Sequence, residues 1–192
     1  MVEDREIIRR CRLGQMSLMD VLIERYKTDL YSLCEKLTRD PSDADDLFQD
    51  TWMNVVKNLE KYSSKYAFKT WLFSICLNRY RDLYRRRKRW WRRITRISSW
   101  ERPEGNPVEF RAPDPDPEET MISEERKSTV REAVEGLEDM FRLPVLLHYF
   151  QGLSTAEVGE VLGISPGTVK SRLSRGREKL RSQMEGLGHG RA

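Results

Sequence analysis

The stretch Ser165-Pro166-Gly167-Thr168-Val169-Lys170-Ser171-Arg172-Leu173-Ser174-Arg175 combines hydroxyls, bases and a helix start in one short segment. Val169, Leu173, Gly176, Leu180 and Met184 recur at helical spacing and are expected to face inward. Ser165, Gly167, Thr168, Lys170, Ser171, Arg172 and Arg175 are then left on the outer face. That face offers free helix amides, hydroxyls and cations, which suit phosphates and base edges in a duplex groove. A second constellation pairs bases with aromatics. The run Arg85-Arg86-Arg87-Lys88-Arg89-Trp90-Trp91-Arg92-Arg93 follows the lysines and tyrosines of Lys61-Tyr62-Ser63-Ser64-Lys65-Tyr66. Cations neutralise phosphate and release counterions, while rings stack on unpaired bases. A third is acidic. Asp43, Asp46 and Asp50 lie opposite an apolar face of Ala44, Phe48, Trp52, Val55, Val56 and Leu59, with Leu47 expected exposed beside the acidic row. Such a surface suits a basic protein groove.

Catalysis has no comparable apparatus. The sequence holds no nucleophile elbow, no phosphate-cradling glycine loop and no metal-spaced carboxylate set. Cys11, Cys34 and Cys76 are widely spaced and form no Cys-x-x-Cys pair, and the only histidines are His148 and His189. No catalytic residue, metal or cofactor is therefore expected, and neither is a disulfide framework. His148 sits in an apolar run and reads as a core or boundary residue. The N-terminus lacks the apolar core of a secretion signal, and no window reaches the length of a membrane span. A cytoplasmic protein without membrane insertion is the expectation.

The elements that must position these residues are short helices. Charged residues make up 34% of the chain and hydrophobic ones 38%, so each core is small and covered by polar surface. The net charge of +4 conceals blocks of one sign. From Arg79 to Arg96 there are ten bases against one acid, and from Ser165 to Arg181 six against one, a distribution that favours a polyanionic partner. From Ser98 to Glu125 the balance reverses to nine acids against two arginines, with five of the eight prolines. Proline lacks a donor and restrains its predecessor, so the segment about 98–117 reads as an extended, semi-rigid linker. The expected fold is all-α. An N-terminal helical bundle, residues 1–97, and a C-terminal helix-turn-helix domain, residues 118–192, are joined by that Pro- and acid-rich linker.

In the first domain, helices are expected over Glu3–Leu13, along the Leu18–Leu37 periodicity, over Ser42–Glu60 with Ser42 or Asp43 as cap, and over Tyr66–Arg89. The last of these is apolar on more than one side. In the second domain, helices are expected over Glu118–Leu137 and Asp139–Gln151. Ser154 and Glu157 then form a capping box, Gly163 makes the turn, Ser165 caps the second helix and Pro166 takes its first position.

The ordered set of motifs resembles the bacterial sigma-70 family, in its small extracytoplasmic-function group. Asp43–Trp52 is similar to that family's core-polymerase-binding helix, Phe68–Asp82 to its promoter-melting and minus-ten-reading helix, and Gly167–Arg177 to its minus-thirty-five-reading helix. The resemblance implies core RNA polymerase as a partner, through a coiled coil of the largest subunit, with Asp43, Asp46, Leu47, Gln49 and Asp50 as the docking residues. It implies promoter DNA as the ligand. Lys61, Tyr62, Lys65, Phe68, Lys69, Trp71, Asn78, Arg81, Arg85 and Arg86 would hold a melted minus-ten strand. Ser165, Pro166, Gly167, Thr168, Lys170, Ser171, Arg172 and Arg175 would read the minus-thirty-five duplex. An anti-sigma factor is the implied regulator. Gly159 and Gly176 stand where the family more often has alanine; both are small, so the crossing geometry is expected to survive with a looser helix, and Trp90, Trp91 and Trp100 belong to none of its motifs. The alternative is a stand-alone helix-turn-helix transcriptional regulator, which has no need of the acidic or the aromatic-basic helix.

Overall fold

The computed structural model describes residues 3–38, 40–97 and 130–188, and every regular element among the described residues is helical. The linker 98–117, the start of the helix expected from Glu118, and Trp100 lie outside the described residues, as do the side chains of Arg86, Trp90 and Trp91.

Helix α1, Asp4–Arg12, buries Ile7, Ile8 and Cys11 on one side. On the other, Glu6 accepts from Arg9 (2.8 Å) and Arg10 (2.7 Å), and these cations hold its carboxyl down at about 2. Gly14, at φ +97°, turns the chain out of α1 through a left-handed conformation open to glycine. A short 3₁₀ turn, Met16–Leu18, leads into α2, Met19–Leu37. Asp4 pins α1 to α2 by pairing with Arg25 and accepting from the Tyr26 hydroxyl.

Helix α3, Pro41–Lys57, starts earlier than the sequence suggested. Asp40, not Ser42 or Asp43, is the cap, with its carboxylate accepting from the amides of Ser42 (2.8 Å) and Asp43 (3.2 Å). Pro41 at the first helical position requires the cap immediately before it. The buried stripe of α3 is Ala44, Leu47, Thr51, Trp52 and Val55. Leu47 is fully enclosed and Val56 is 44% exposed, the reverse of the expected arrangement. Thr51, one turn after Leu47, shares the core face: its hydroxyl donates to the Leu47 carbonyl (2.7 Å), which satisfies its polar group there and lets the buried stripe include the Leu47 side of the helix.

Helix α4, Phe68–Ile97, runs on through the basic stretch. It contacts α2 and α3 on one side and the C-terminal half on the other, which accounts for its two apolar faces. Phe68, Leu72, Phe73, Cys76 and Leu77 are all buried. Residues 130–135 are helical (α5) and precede α6, Asp139–Val145. Pro144 lies inside α6 and cannot donate to the ladder, and the following turn, Leu146–Phe150, widens to π geometry.

The two helices of the helix-turn-helix are α7, Thr155–Leu162, and α8, Pro166–Gly188. The expected capping box is present: Ser154 Oγ accepts from the Glu157 amide (3.2 Å), and the Glu157 carboxylate accepts from the Ser154 amide (2.8 Å). Gly163 makes the turn at φ +68°. At Gly159 a Cβ would lie 2.7 Å from the Ile164 carbonyl oxygen, so the crossing is tight at this position. Val169 and Leu173 are buried, whereas Met184 is 43% exposed.

The two halves meet along a polar seam. Arg142, almost fully buried, donates to the carbonyls of Lys36 and Leu37 (3.0 Å to the latter), which end α2. Lys36 Nζ lies 5.5 Å from the centre of the Phe150 ring, and Lys69 donates to the Gln151 carbonyl (3.1 Å).

Candidate nucleic-acid and polymerase interfaces

The outer face of α8 is built from its start. Ser165 Oγ accepts from the Thr168 amide (3.1 Å) and lies 2.9 Å from Thr168 Oγ1, so one side chain fixes the first turn. Ser171 donates to the Thr168 carbonyl (2.9 Å). Inward Val169 and Leu173 set the rotation that leaves Ser165, Pro166, Gly167, Lys170, Ser171 and Arg175 exposed, with Thr168 and Arg172 half-exposed. The surface carries cations beside a helix N-terminus, where the positive end of the helix dipole favours anions.

The loop before α4 is fixed at both feet. It begins with the 3₁₀ turn Leu59–Lys61. Tyr62 then turns inward, its ring 5.1 Å from Trp71 and 5.9 Å from Phe68, while its hydroxyl donates to the Tyr66 carbonyl (2.8 Å). Burial pushes the Tyr62 phenol up. Between the feet, Lys61, Ser63, Ser64 and Lys65 are exposed, and Lys65 Nζ lies 5.6 Å from the Tyr66 ring centre. A cleft of about 370 Å³ opens beside them, lined by Asp4, Arg25, Tyr62, Tyr66 and Phe68 among others.

Several expected strand contacts are not presented to solvent. Phe68 is 2% exposed and belongs to an aromatic cluster with Tyr26, Trp52, Tyr62 and Trp71. Phe68 and Tyr62 therefore support the loop from below and do not offer faces for stacking. Lys69 is turned into the seam, pairing with Asp29 (2.7 Å) as well as the Gln151 carbonyl. Asn78 and Arg85 are exposed and Arg81 and Trp71 half-buried, giving α4 a polar outer edge.

On α3, Asp46, Gln49 and Asp50 are exposed and Asp43 is half-buried. Leu47 is not among them; the exposed apolar residues of this helix are Met53 (54% exposed) and Val56. At 100° per residue Asp46, Gln49, Asp50, Met53 and Val56 share one outer face. Sequence reasoning missed Met53 and Val56 because their apolar character assigned Val56 to the core and left Met53 unremarked. The Asp45 carboxylate accepts from Tyr31 (2.9 Å), and Asn54 accepts from Arg79 (2.7 Å), so α3 is fixed to both α2 and α4.

Comparison with known proteins bears on this geometry. Residues 22–90 match the family model described as sigma-70 region 2, and residues 128–180 match that of sigma-70, region 4. The chain is 29% identical over 182 residues to the ECF RNA polymerase sigma factor SigW of Bacillus subtilis, covering 94% of this chain and 96% of that protein. It is 33% identical over 172 residues to the ECF RNA polymerase sigma factor SigE of Mycolicibacterium smegmatis, covering 88% of this chain and 62% of that one. The fold resembles CnrH, solved in complex with the cytosolic domain of CnrY, with a TM-score of 0.69, 24% identity and coverage of 95% and 97%. A stand-alone helix-turn-helix regulator finds no support in these similarities. With both family regions matched in order on a chain whose described elements are all helical, the protein belongs to the sigma-70 family of RNA polymerase sigma factors, in its extracytoplasmic-function group.

Proposed function

We propose that this chain is a transcription initiation factor that binds core RNA polymerase through α3, reads minus-thirty-five duplex through α8 and holds the melted minus-ten strand on the loop before α4. The observation that carries the reading is the simultaneous exposure of two unlike surfaces on one chain. One is the acidic-apolar face of α3 with Asp46, Gln49, Asp50, Met53 and Val56; the other is the basic start of α8 with Lys170, Ser171 and Arg175. A duplex reader acting alone needs only the second. Asp46 and its neighbours complement a basic groove such as a polymerase coiled coil presents. Holding unpaired bases on the exposed loop favours the open strand over the duplex, so binding energy drives melting. The two regions are proposed to act as separate domains, 1–97 and 118–192, in the cytoplasm, with an anti-sigma partner as the restraint common in this group.

Purified chain mixed with core polymerase is expected to support run-off transcription from members of a randomised promoter library. Asp46→Arg is expected to lower core binding at least tenfold, while minus-thirty-five duplex binding by the free chain stays unchanged. Equal loss of both would count against the assignment of α3.

A further inference from the structure

Arg12 closes α1, outside the segment matched by the region 2 family model. Its guanidinium gathers the backbone that leads into the exposed loop. Nε and Nη2 donate to the Leu59 carbonyl (3.1 and 2.7 Å), and Nη2 also donates to the carbonyls of Glu60 (3.2 Å) and Tyr62 (2.5 Å). These oxygens lie on or just after the 3₁₀ turn; that of Leu59 also accepts from the Tyr62 amide (3.1 Å). Nε and Nη2 hold the Leu59 carbonyl from two points of one planar group, which fixes the orientation in which Nη2 reaches the other two oxygens; lysine keeps the charge but offers a single nitrogen on a flexible stem. Downstream, Tyr62 ties its hydroxyl to the Tyr66 carbonyl, so the exposed residues Ser63–Lys65 hang between two fixed points.

We propose that Arg12 is a positioning residue for the strand-reading loop: by collecting the Leu59, Glu60 and Tyr62 carbonyls it holds Lys61–Tyr66 in the shape that receives unpaired DNA. The inference rests on the assignment of that loop to the minus-ten strand. A preformed loop avoids an ordering cost on binding, and ordering even one residue costs about 1–2 kcal/mol, or roughly tenfold in affinity.

The test uses holoenzyme assembled with full-length chain. The probes are a promoter selected by wild type from a randomised library, in fully paired form and with the minus-ten segment premelted, and an upstream duplex carrying the minus-thirty-five element alone. Arg12→Lys is expected to weaken premelted-template binding about tenfold and to relax base selectivity in the melted segment. Its salt dependence should be unchanged, because the charge is kept, and so should upstream-duplex binding. Wild-type affinity and selectivity for the premelted template would overturn the proposal. So would a parallel loss on the premelted template and the upstream duplex with a lowered melting temperature, which would make Arg12 scaffold only. The double variant Lys61→Ala, Lys65→Ala separates the two ideas. If it weakens premelted binding while Arg12→Lys does not, the loop assignment stands and the role of Arg12 falls. If neither variant has an effect, the loop assignment falls and takes the proposal with it.

Discussion

Gly159 shows how closely the DNA-reading module depends on single atoms. Its missing side chain lets the Ile164 carbonyl approach to where a Cβ would stand 2.7 Å away, a backbone contact that cannot swing aside. Gly176 is less demanding: there the nearest atom is the Val145 Cγ2 methyl at 3.2 Å, which can shift by a few tenths of an ångström. Gly159→Ala is therefore expected to cost about 1–3 kcal/mol, in the range of overpacked sites, and Gly176→Ala clearly less. Denaturant unfolding of the two variants checks the order, and equal costs would contradict the geometry. The sequence marked both positions as small but could not show which of them faces backbone.

Among the elements, the capping box at the start of α7 makes a pH-dependent contribution. Hydrogen bonds from the Ser154 side chain and amide hold the Glu157 carboxyl below its ordinary value of 4.5. A carboxyl lowered in the folded state adds stability that is complete above that ordinary value and is lost as pH falls through the lowered one. Glu157→Gln keeps a capping side chain but cannot ionise. Amide exchange in the first turn of α7 should then lose part of its acid sensitivity between neutral pH and pH values below 4.5. An identical profile in the variant would remove Glu157 as the titrating group. This box was legible in the sequence because capping is local, and so were the turn at Gly163 and the outward set on α8. The face of α3 was not, since Thr51 bonds its own helix and so enters the core against its polarity. The clamp by Arg12 joins residues 47 to 50 positions apart, a juxtaposition that no periodicity signals. Lys69 likewise looked like a strand contact until the packing of α4 against α7 turned it toward Gln151.

At the level of the whole molecule, the seam is closed by a cation donated to the end of a helix. The Lys36 and Leu37 carbonyls terminate α2, where the negative end of the dipole favours Arg142. Arg142→Gln is expected to weaken the seam by about 1.5–3 kcal/mol, the range for hydrogen bonds to a charged group. Small-angle scattering should then report a larger radius of gyration. An unchanged radius would assign the cohesion to the packing of α4 on α7. Lys69 belongs to this seam as well. Two of the three protons on Lys69 Nζ go to Asp29 and the Gln151 carbonyl, so in the closed arrangement at most one is left for an incoming phosphate. A template phosphate that drew on Lys69 more fully would have to compete with the two contacts that tie this side chain into the seam.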